Sequence, residues 1–188
     1  LVLAGHDAIV VAAGWESAAV KVEENGQLYS LLNWETGLDQ IDCHGGQMLS
    51  VKAGEGAPVR VVRAGHIYLV PRHGEVVIGA TMEPGRVIDT PEPDVIDALR
   101  KAGGRLCPGL ADAPVVESWT GVRPGTPDHA PFIGPASTPG LFVAAGHYRN
   151  GILLAPVTAR IIADQIIGAR TGDLAAAFSL HRGFAATA

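Results

Sequence analysis

The segment spanning residues 140–167 constrains the fold of this 188-residue chain more than any other. Residues 140–144 form a short apolar run, and residues 146–151 follow as a turn with a glycine at each end. Apolar residues then recur at the spacing of one helix face, at Leu153, Val157, Ile161, Ile162, Ile166 and Ile167. A buried strand therefore leads directly into a helix N-terminus. Free backbone N–H groups and the positive end of the helix dipole meet there, which suits an anion or an electron-rich ring edge. An ordinary strand-to-helix connection has the same pattern.

Two kinds of strand divide the rest of the chain. Residues 7–14 form a continuous apolar run that ends in a glycine, which is typical of a parallel strand buried on both faces. A plain core strand that ends in a turn fits equally well. Further along, the apolar runs are short and separated by Gly and Pro clusters, which favours an antiparallel sheet. These runs cover residues 48–51, 59–62, 67–70 and 76–79, with a hairpin turn at residues 73–75.

This contrast predicts a mixed α/β fold. Residues 7–14 and 140–168 should share one α/β layer, while residues 47–82 form an antiparallel sheet. Thr90 or Asp89 can cap a helix that Gly103 and Gly104 weaken at its end.

The segments next to this framework are less regular. Residues 114–119 predict a strand that returns to a loop carrying Arg123. The Ala-rich tail, residues 171–188, predicts a last helix, and residues 18–44 show no pattern that we can assign to a function.

Composition excludes several classes of function. The chain is 47% hydrophobic and 18% charged, with a net charge of −5 and no basic run, so we expect a globular core and no nucleic-acid partner. No apolar run approaches the roughly 18 residues of a membrane span. Cys43 and Cys107 lie far apart, and neither they nor the seven histidines show metal-ligand spacing, so we expect no metal. With only two cysteines, a reducing cytoplasm is the simplest setting.

Three motifs resemble one protein family in its own order and spacing. They are GVRPGTPDHAPFIG at residues 121–134, AAGHYRNGILLAP at residues 144–156, and YLVPR followed by VIGATMEPG at residues 68–72 and 77–85. Together they resemble the C-terminal part of the glycine oxidase branch of the D-amino-acid oxidase-like FAD-dependent oxidoreductases. The resemblance covers roughly residues 46–168.

The resemblance implies an organisation in two domains. Residues 1–17 would end a Rossmann-like FAD-binding domain, residues 18–115 would form an antiparallel-sheet substrate domain with one helix, and residues 116–188 would return to the FAD-binding domain. No G-x-G-x-x-G motif follows any strand here, so the dinucleotide fingerprint of such a fold is absent. We expect that the chain begins after that motif.

The resemblance also assigns residues that contact the substrate. Arg123 matches the clamp for the substrate carboxylate, a task that suits the planar fork of a guanidinium. Tyr68 matches a hydroxyl donor to the same carboxylate, and Arg149 matches a position whose backbone carbonyl accepts from the substrate amine. From the residues alone, Arg123 is equally a surface arginine in a salt bridge, and Tyr68 is equally a core aromatic.

A second group of residues would line the flavin. It consists of Gly14, His147, Tyr148, Arg149, Asn150, Gly151, Ile152 and Leu153. The helix N–H groups near the ring would stabilise negative charge on the reduced flavin. The loop at residues 121–126 contains no cysteine, so we expect noncovalent FAD. We expect no general base at His147, because hydride transfer needs a neutral amine and no strong protein base.

The implied reaction is oxidative deamination of glycine or a similar small amino acid. Hydride passes to FAD, oxygen is the acceptor that gives hydrogen peroxide, and the setting is thiamine biosynthesis. A sarcosine or D-amino-acid oxidase of the same superfamily is an alternative, and so is a non-catalytic fragment that does not bind flavin alone. The expected partners are the small amino-acid substrate and either further copies of the chain or an N-terminal half that carries the dinucleotide motif.

Overall fold

The computed structural model describes residues 5–169 and 172–183, in two compact units. The first unit comprises residues 1–43 and 123–188, and the second comprises residues 44–122. The boundaries expected from sequence lie at residues 17 and 115 instead. Residues 18–43 group with the first unit because Val22, Leu31 and Leu38 are fully buried in the same hydrophobic cluster as Leu141 and Val143.

The first unit contains a three-stranded sheet made of β1 (Ile9–Val11), β10 (Phe132–Pro135) and β11 (Leu141–Ala145), in the order β1–β11–β10. Strands β1 and β11 are parallel, with Val11 opposite Val143, and β10 runs antiparallel to β11. Helix α2 (Gly151–Ile166) packs on β10 and β11 through Ile161 and Ile162. The parallel layer predicted from residues 7–14 and 140–168 is therefore confirmed, although β1 is shorter than the apolar run.

Smaller elements complete the first unit. A hairpin joins β2 (Lys21–Glu24) and β3 (Gln27–Ser30), and 3-10 turns follow at Leu31–Asn33 and Thr36–Gln40. Glu35, which is 1% exposed, accepts hydrogen bonds from the N–H groups of Ser137 and Thr138, both at 3.0 Å. Its carboxylate therefore ties this segment to the β10–β11 turn. Helix α3 (Gly172–Ala177) lies within the predicted last helix; residues 170–171 and 184–188 of that prediction lie outside the described residues.

The second unit is built on an antiparallel sheet. Its strands are β4 (Asp42–Lys52), β5 (Val62–Ala64), β6 (Ile67–Arg72), β7 (Glu75–Gly79), β8 (Glu83–Pro84) and β9 (Val115–Gly125). The strand order is β5–β6–β7–β4–β8, and β9 also pairs with β4. The register places Tyr68 of β6 opposite Gly79 of β7, and Ser50 of β4 opposite Val77 of β7. The predicted antiparallel sheet and the hairpin turn at residues 73–75 are thereby confirmed.

Two local predictions about strands need correction. The run at residues 59–62 is not one strand: Val59 is 89% exposed in an irregular segment, and β5 begins only at Val62. Arg123 lies within the extended backbone of β9 and not on a loop. Apolar composition alone did not reveal that β9 continues through Pro124, whose missing N–H is tolerated where a strand leaves its neighbour.

Helix α1 (Pro93–Leu106) begins later than the sequence suggested. Its N-cap is Glu92, not Thr90 or Asp89, and Pro93 occupies the first turn, where a missing N–H costs nothing. The helix continues through Gly103, where a Cβ would lie 2.6 Å from Ile78 Cδ1. The glycine that looked like a helix breaker instead permits close packing of α1 on the sheet core.

Within the described ranges, no helix combines the length and the hydropathy that crossing a bilayer would require. Over the same ranges, the structure also shows no cluster of three or more His, Cys, Asp or Glu side chains arranged to hold a metal ion.

Candidate functional site

The candidate site of the first unit lies where two parallel strands end. Because β1 and β11 run in register, the chain leaves the sheet at the same edge after Val11 and after Ala145. Gly14 follows β1 with φ of +61°, and Gly146 follows β11 with φ of +77°. Both turns use backbone conformations that favour glycine. The carboxyl ends of parallel strands are where open α/β sheets bind ligands.

The turn after β11 leaves no space for a side chain at Gly146. A Cβ at this position would lie 2.6 Å from Thr126 Cγ2. Tyr148, two residues after Gly146, also has a positive φ, +50°. Its N–H donates to the Pro124 carbonyl at 2.7 Å. The turn is thus held against the end of β9, and Thr126 is the residue that follows this strand.

The N-terminus of helix α2 presents unpaired backbone donors. Its first helical hydrogen bond runs from the Leu154 N–H to the Asn150 carbonyl at 2.8 Å. The N–H groups of Gly151, Ile152 and Leu153 therefore have no partner within the helix, and the Asn150 side chain does not cap it. This arrangement is suited to an electron-rich ring edge or an anion.

An apolar groove of about 580 Å³ lies along helix α2 and the outer face of β1. Small residues form much of its lining: Ala12, Ala144, Gly151, Ala155 and Ala159. At the helix start, the Ile152 side chain is 96% exposed and Leu153 is 77% exposed.

The chemistry of this groove fits part of a flavin cofactor. Flat aromatic rings suit an apolar groove lined by small residues, and the unpaired N–H groups at the helix start suit the polar edge of the isoalloxazine. The sequence contains no G-x-G-x-x-G motif, which is the glycine-rich turn that binds a pyrophosphate in such folds. The residues present therefore fit the ring end of FAD.

The predicted apolar face of α2 is only partly buried. Ile161 and Ile162 are 8% and 6% exposed, as the helical spacing suggested. In contrast, Val157, Ile166 and Ile167 are 47%, 41% and 76% exposed. The sequence pattern identified the helix but did not show which of its apolar residues would be covered within this chain.

His147 faces the groove beside a polar partner that sequence reasoning missed. Its Nε2 lies 2.9 Å from the hydroxyl of Thr158, which is 7% exposed on helix α2. Burial lowers the pKa of His147 below its ordinary value, because the imidazolium is poorly solvated there. The eleven-residue separation, which runs from the turn before α2 into the helix, gave no sequence signal for this pair.

The two arginines that the sequence assigned to the substrate differ in environment. Arg123 is half-buried at the end of β9, whereas Arg149 is exposed in the turn before α2. The Tyr148–Pro124 hydrogen bond joins the segment that follows Arg123 to the one that precedes Arg149. The structure therefore brings the backbone around Arg123, His147 to Leu153 and Arg149 together in one unit, with Gly14 at the same sheet edge.

Tyr68 belongs to the second unit, where a glycine positions its ring. A Cβ at Gly79, directly opposite on β7, would overlap the Tyr68 ring. The Tyr68 hydroxyl donates to Met48 Sδ at 2.8 Å, and the Arg63 guanidinium lies 5.8 Å from the ring centre. Sequence reasoning missed Gly79 as a positioning residue, although its place in the VIGAT motif is a usable signal.

Fold and site define a class of protein. A parallel strand pair that ends at a helix N-terminus, with an antiparallel sheet in a second unit, is the architecture of flavin-dependent oxidoreductases. Residues 2–165 match the family described as FAD dependent oxidoreductase, and the chain belongs to that family. The mixed fold, the family resemblance and FAD as the family's cofactor are thereby confirmed.

Relatives at the sequence level are glycine oxidases and bifunctional ThiO/ThiG proteins. The chain is 42% identical over 142 residues to the bifunctional protein ThiO/ThiG of Nostoc sp., covering 73% of this chain and 22% of that one. It is 34% identical over 170 residues to the glycine oxidase of Pseudomonas putida, covering 89% and 43%. The chain thus spans less than half the length of these relatives.

Solved structures give the same result. The crystal structure of glycine oxidase from Geobacillus kaustophilus matches with a TM-score of 0.72 and 37% identity, over 78% of this chain and 40% of that one. Iminodiacetate oxidase from Chelativorans sp. BNC1 matches with a TM-score of 0.77 over 93% of this chain and 46% of that one. At 24% identity the second likeness concerns the fold alone.

Proposed function

We propose that the protein containing this chain oxidatively deaminates glycine or a similar small amino acid, with noncovalent FAD. The observation that carries this proposal is the α2 N-terminus, where unpaired backbone N–H groups open onto an apolar groove at the carboxyl ends of two parallel strands. FAD, when bound, supplies the hydride acceptor, with oxygen as final acceptor to give hydrogen peroxide. The names of the glycine oxidase relatives support this substrate class.

Substrate orientation is the main task of this chain's own side chains. Arg123 would hold the substrate carboxylate through two parallel N–H···O bonds, which fix both the position and the plane of the carboxylate. Tyr68 would add a hydroxyl donor to the same carboxylate, and the Arg149 carbonyl would accept from the amine. These three roles are part of the proposal.

The groove side chains would exclude water and avoid unwanted charge. The residues that would hold the flavin ring are Gly14 and the segment from His147 to Leu153. Burial keeps the His147 imidazole neutral near pH 7, so it adds no positive charge beside the ring. The free N–H groups at Gly151, Ile152 and Leu153 would instead stabilise negative charge at the ring edge.

Two alternatives remain within this proposal. Sarcosine or D-amino-acid oxidation uses the same carboxylate clamp and differs only in the groups on the amine and α-carbon. A non-catalytic fragment is favoured by the missing glycine-rich motif, since the 188 residues lack a pyrophosphate grip. Thiamine biosynthesis and a cytoplasmic location stay predictions, as do oligomerisation and pairing with an N-terminal half.

Anaerobic flavin reduction in the intact gene product tests the proposal. Purified protein is mixed with glycine, sarcosine, D-alanine or a simple alkylamine, and the visible flavin absorbance is followed. We expect glycine to bleach the flavin readily and the alkylamine to bleach it far more slowly. Faster bleaching by sarcosine or D-alanine would select that alternative. Protein without flavin, or flavin that no amino acid reduces, would refute the oxidase function.

A further inference from the structure

A buried guanidinium near the end of the chain closes one loop of the first unit. The Arg182 side chain is 9% exposed, and it binds both carboxylate oxygens of Asp128 at 2.9 Å. It also donates to the carbonyls of Ala130 at 2.6 Å, Pro131 at 3.1 Å and Ser179 at 3.2 Å. Its guanidinium carbon lies 4.3 Å from the centre of the Phe132 ring. A planar fork with five donors is needed to satisfy so many acceptors at once.

The loop that Arg182 closes spans residues 126–131. Within it, the Thr126 hydroxyl donates to the Ala130 carbonyl at 2.7 Å, and the Ala130 N–H donates to Asp128 at 3.0 Å. Hydrogen bonding from Arg182 lowers the pKa of Asp128 well below its usual range, so the carboxylate remains charged at neutral pH. Arg182 therefore holds the loop in a single closed shape.

Residues of this loop and its entry brace the turn that leads into α2, at three points. The Pro124 carbonyl accepts from the Tyr148 N–H at 2.7 Å. Thr126 fills the space beside Gly146. The His129 and Tyr148 rings stack with their centres 4.8 Å apart and their planes 19° from parallel.

The stacked rings both belong to residues with unfavourable backbone angles. His129 has φ of +58° and Tyr148 has φ of +50°, a region that residues other than glycine rarely occupy. Such conformations persist only where the surroundings impose them. The ring stack and the hydrogen bond to Pro124 hold Tyr148 at its positive φ. The Asp128–Arg182 pair fixes the loop beside His129 and so holds His129 at its positive φ.

We propose that Arg182 is a positioning residue for the turn at residues 146–151, acting through Asp128 and the His129–Tyr148 stack. This inference rests on the proposed function for its consequence, because that turn would face flavin and substrate. The positioning of the turn itself depends only on contacts within the first unit. Loss of the Arg182 guanidinium should release the loop, then the stack, and finally the backbone of Tyr148.

Amide hydrogen exchange on the flavin-free 188-residue chain tests this inference. The Tyr148 N–H reports the turn, and the Ile9 N–H, bonded to the Gly140 carbonyl at 2.8 Å, reports the β1–β11 pair. In Arg182→Ala we expect Tyr148 to exchange about 10-fold faster or more, with Ile9 changed much less. Arg182→Lys should recover part of the protection, since an ammonium cannot satisfy the carboxylate and the carbonyls together.

Two further variants separate positioning from general destabilisation. Asp128→Asn should speed Tyr148 exchange as well, and the double variant with Arg182→Ala should show less than the sum of the two effects, because both act through one contact. If Arg182→Ala does not fold, Asp128→Asn carries the test. Arg160→Ala is the control, because Arg160 forms an exposed ion pair with Asp164 at 2.8 Å and should leave Tyr148 protection unchanged.

Two results would overturn the inference: unchanged Tyr148 exchange in Arg182→Ala and Asp128→Asn, or an equal rise for Tyr148 and Ile9. Neither depends on flavin. A loosened turn in a protein whose flavin no amino acid reduces would therefore refute the oxidase function and leave the positioning role intact.

Discussion

At the scale of single residues, Arg123 combines a fixed charge with a fixed backbone. It lies half-buried in extended β9, and the following Pro124 both restricts the backbone and accepts the Tyr148 hydrogen bond. The planar guanidinium also loses less freedom per hydrogen bond to a carboxylate than an ammonium does. The proposed clamp can therefore be tested by its selectivity for carboxylated substrates.

In the flavin-loaded intact protein, Arg123→Ala should leave flavin binding nearly unchanged and weaken substrate use strongly. Removing one partner of a buried charge pair costs about 2–5 kcal/mol, which corresponds to about 30- to several-thousand-fold in kcat/KM. Arg123→Lys should recover only part of this loss. Steady-state kinetics with glycine measure the effect.

A simple alkylamine is the matched substrate control for Arg123. It lacks the carboxylate, so its already slow oxidation should change far less in Arg123→Ala. Equal losses for glycine and the alkylamine would mean that Arg123 supports the strand or the flavin and that the carboxylate is held elsewhere.

His147 should make folding stability depend on pH. Burial lowers its folded-state pKa below the unfolded value of about 6.5, so the unfolded chain binds the proton more readily. The free energy of unfolding should therefore fall as pH drops below about 6.5, and this loss should stop below the folded-state pKa. Urea unfolding at several pH values, with NMR titration of the His147 ring, measures both quantities.

The pH dependence should weaken in His147→Gln, which keeps a polar group near Thr158 without a proton to gain. His66→Gln serves as the control, because His66 is exposed in the turn before β6. An identical pH profile for His147→Gln and the parent chain would assign the dependence to another group.

At the scale of elements, β7 and helix α1 depend on glycines for close packing. Gly103 lets α1 approach the Ile78 side chain, and Gly79 provides the flat surface on which the Tyr68 ring lies. The sheet thus positions a ring by omitting a side chain on the neighbouring strand.

Gly79→Ala should displace the Tyr68 ring. The new methyl group would overlap the ring, so the Tyr68 hydroxyl should lose its 2.8 Å contact with Met48 Sδ. Overpacking of this kind costs about 1–3 kcal/mol of folding stability. The NMR chemical shift of the Met48 methyl group reports the ring, and urea unfolding reports the stability.

Gly54→Ala is the matched control for Gly79→Ala, since a Cβ at Gly54 would meet open space. It should leave the Met48 signal unchanged and should change the free energy of unfolding by no more than about 0.5 kcal/mol. A Met48 signal that is unaltered in Gly79→Ala would show that the Tyr68 ring does not rest on this glycine.

At the scale of the whole molecule, the residues that we propose to bind FAD would hold one end of the cofactor. The groove and helix N-terminus suit the isoalloxazine, and the 188 residues contain no glycine-rich turn for the pyrophosphate.

The isolated chain should therefore bind FAD with a Kd weaker than about 10 µM. It should also bind riboflavin about as weakly, because ring contacts are common to both ligands and the pyrophosphate adds none. Fluorescence titration with each ligand measures the affinities. Tight, stoichiometric FAD after gel filtration, or a strong preference for FAD over riboflavin, would reveal a pyrophosphate site that the sequence does not show.

The sequence by itself determined the elements and their kinds. Helical spacing after Gly151 identified α2, an unbroken apolar run identified parallel β1, and short punctuated runs identified most of the antiparallel sheet, because these periodicities follow from local backbone geometry. Three motifs in register also identified the family. The roles of Arg123, Tyr68, Arg149 and the flavin-lining residues stay predictions.

Only the tertiary structure decided contacts between residues distant in the chain. The Arg182–Asp128 pair spans 54 positions, and Glu35 meets Ser137 across 102, so no local pattern could indicate either one. The structure likewise showed the reason for a glycine at position 103 of α1, because a Cβ there would meet the Ile78 side chain of another element. Side-chain partners depend on three-dimensional packing, whereas strands and helices depend mainly on neighbouring residues.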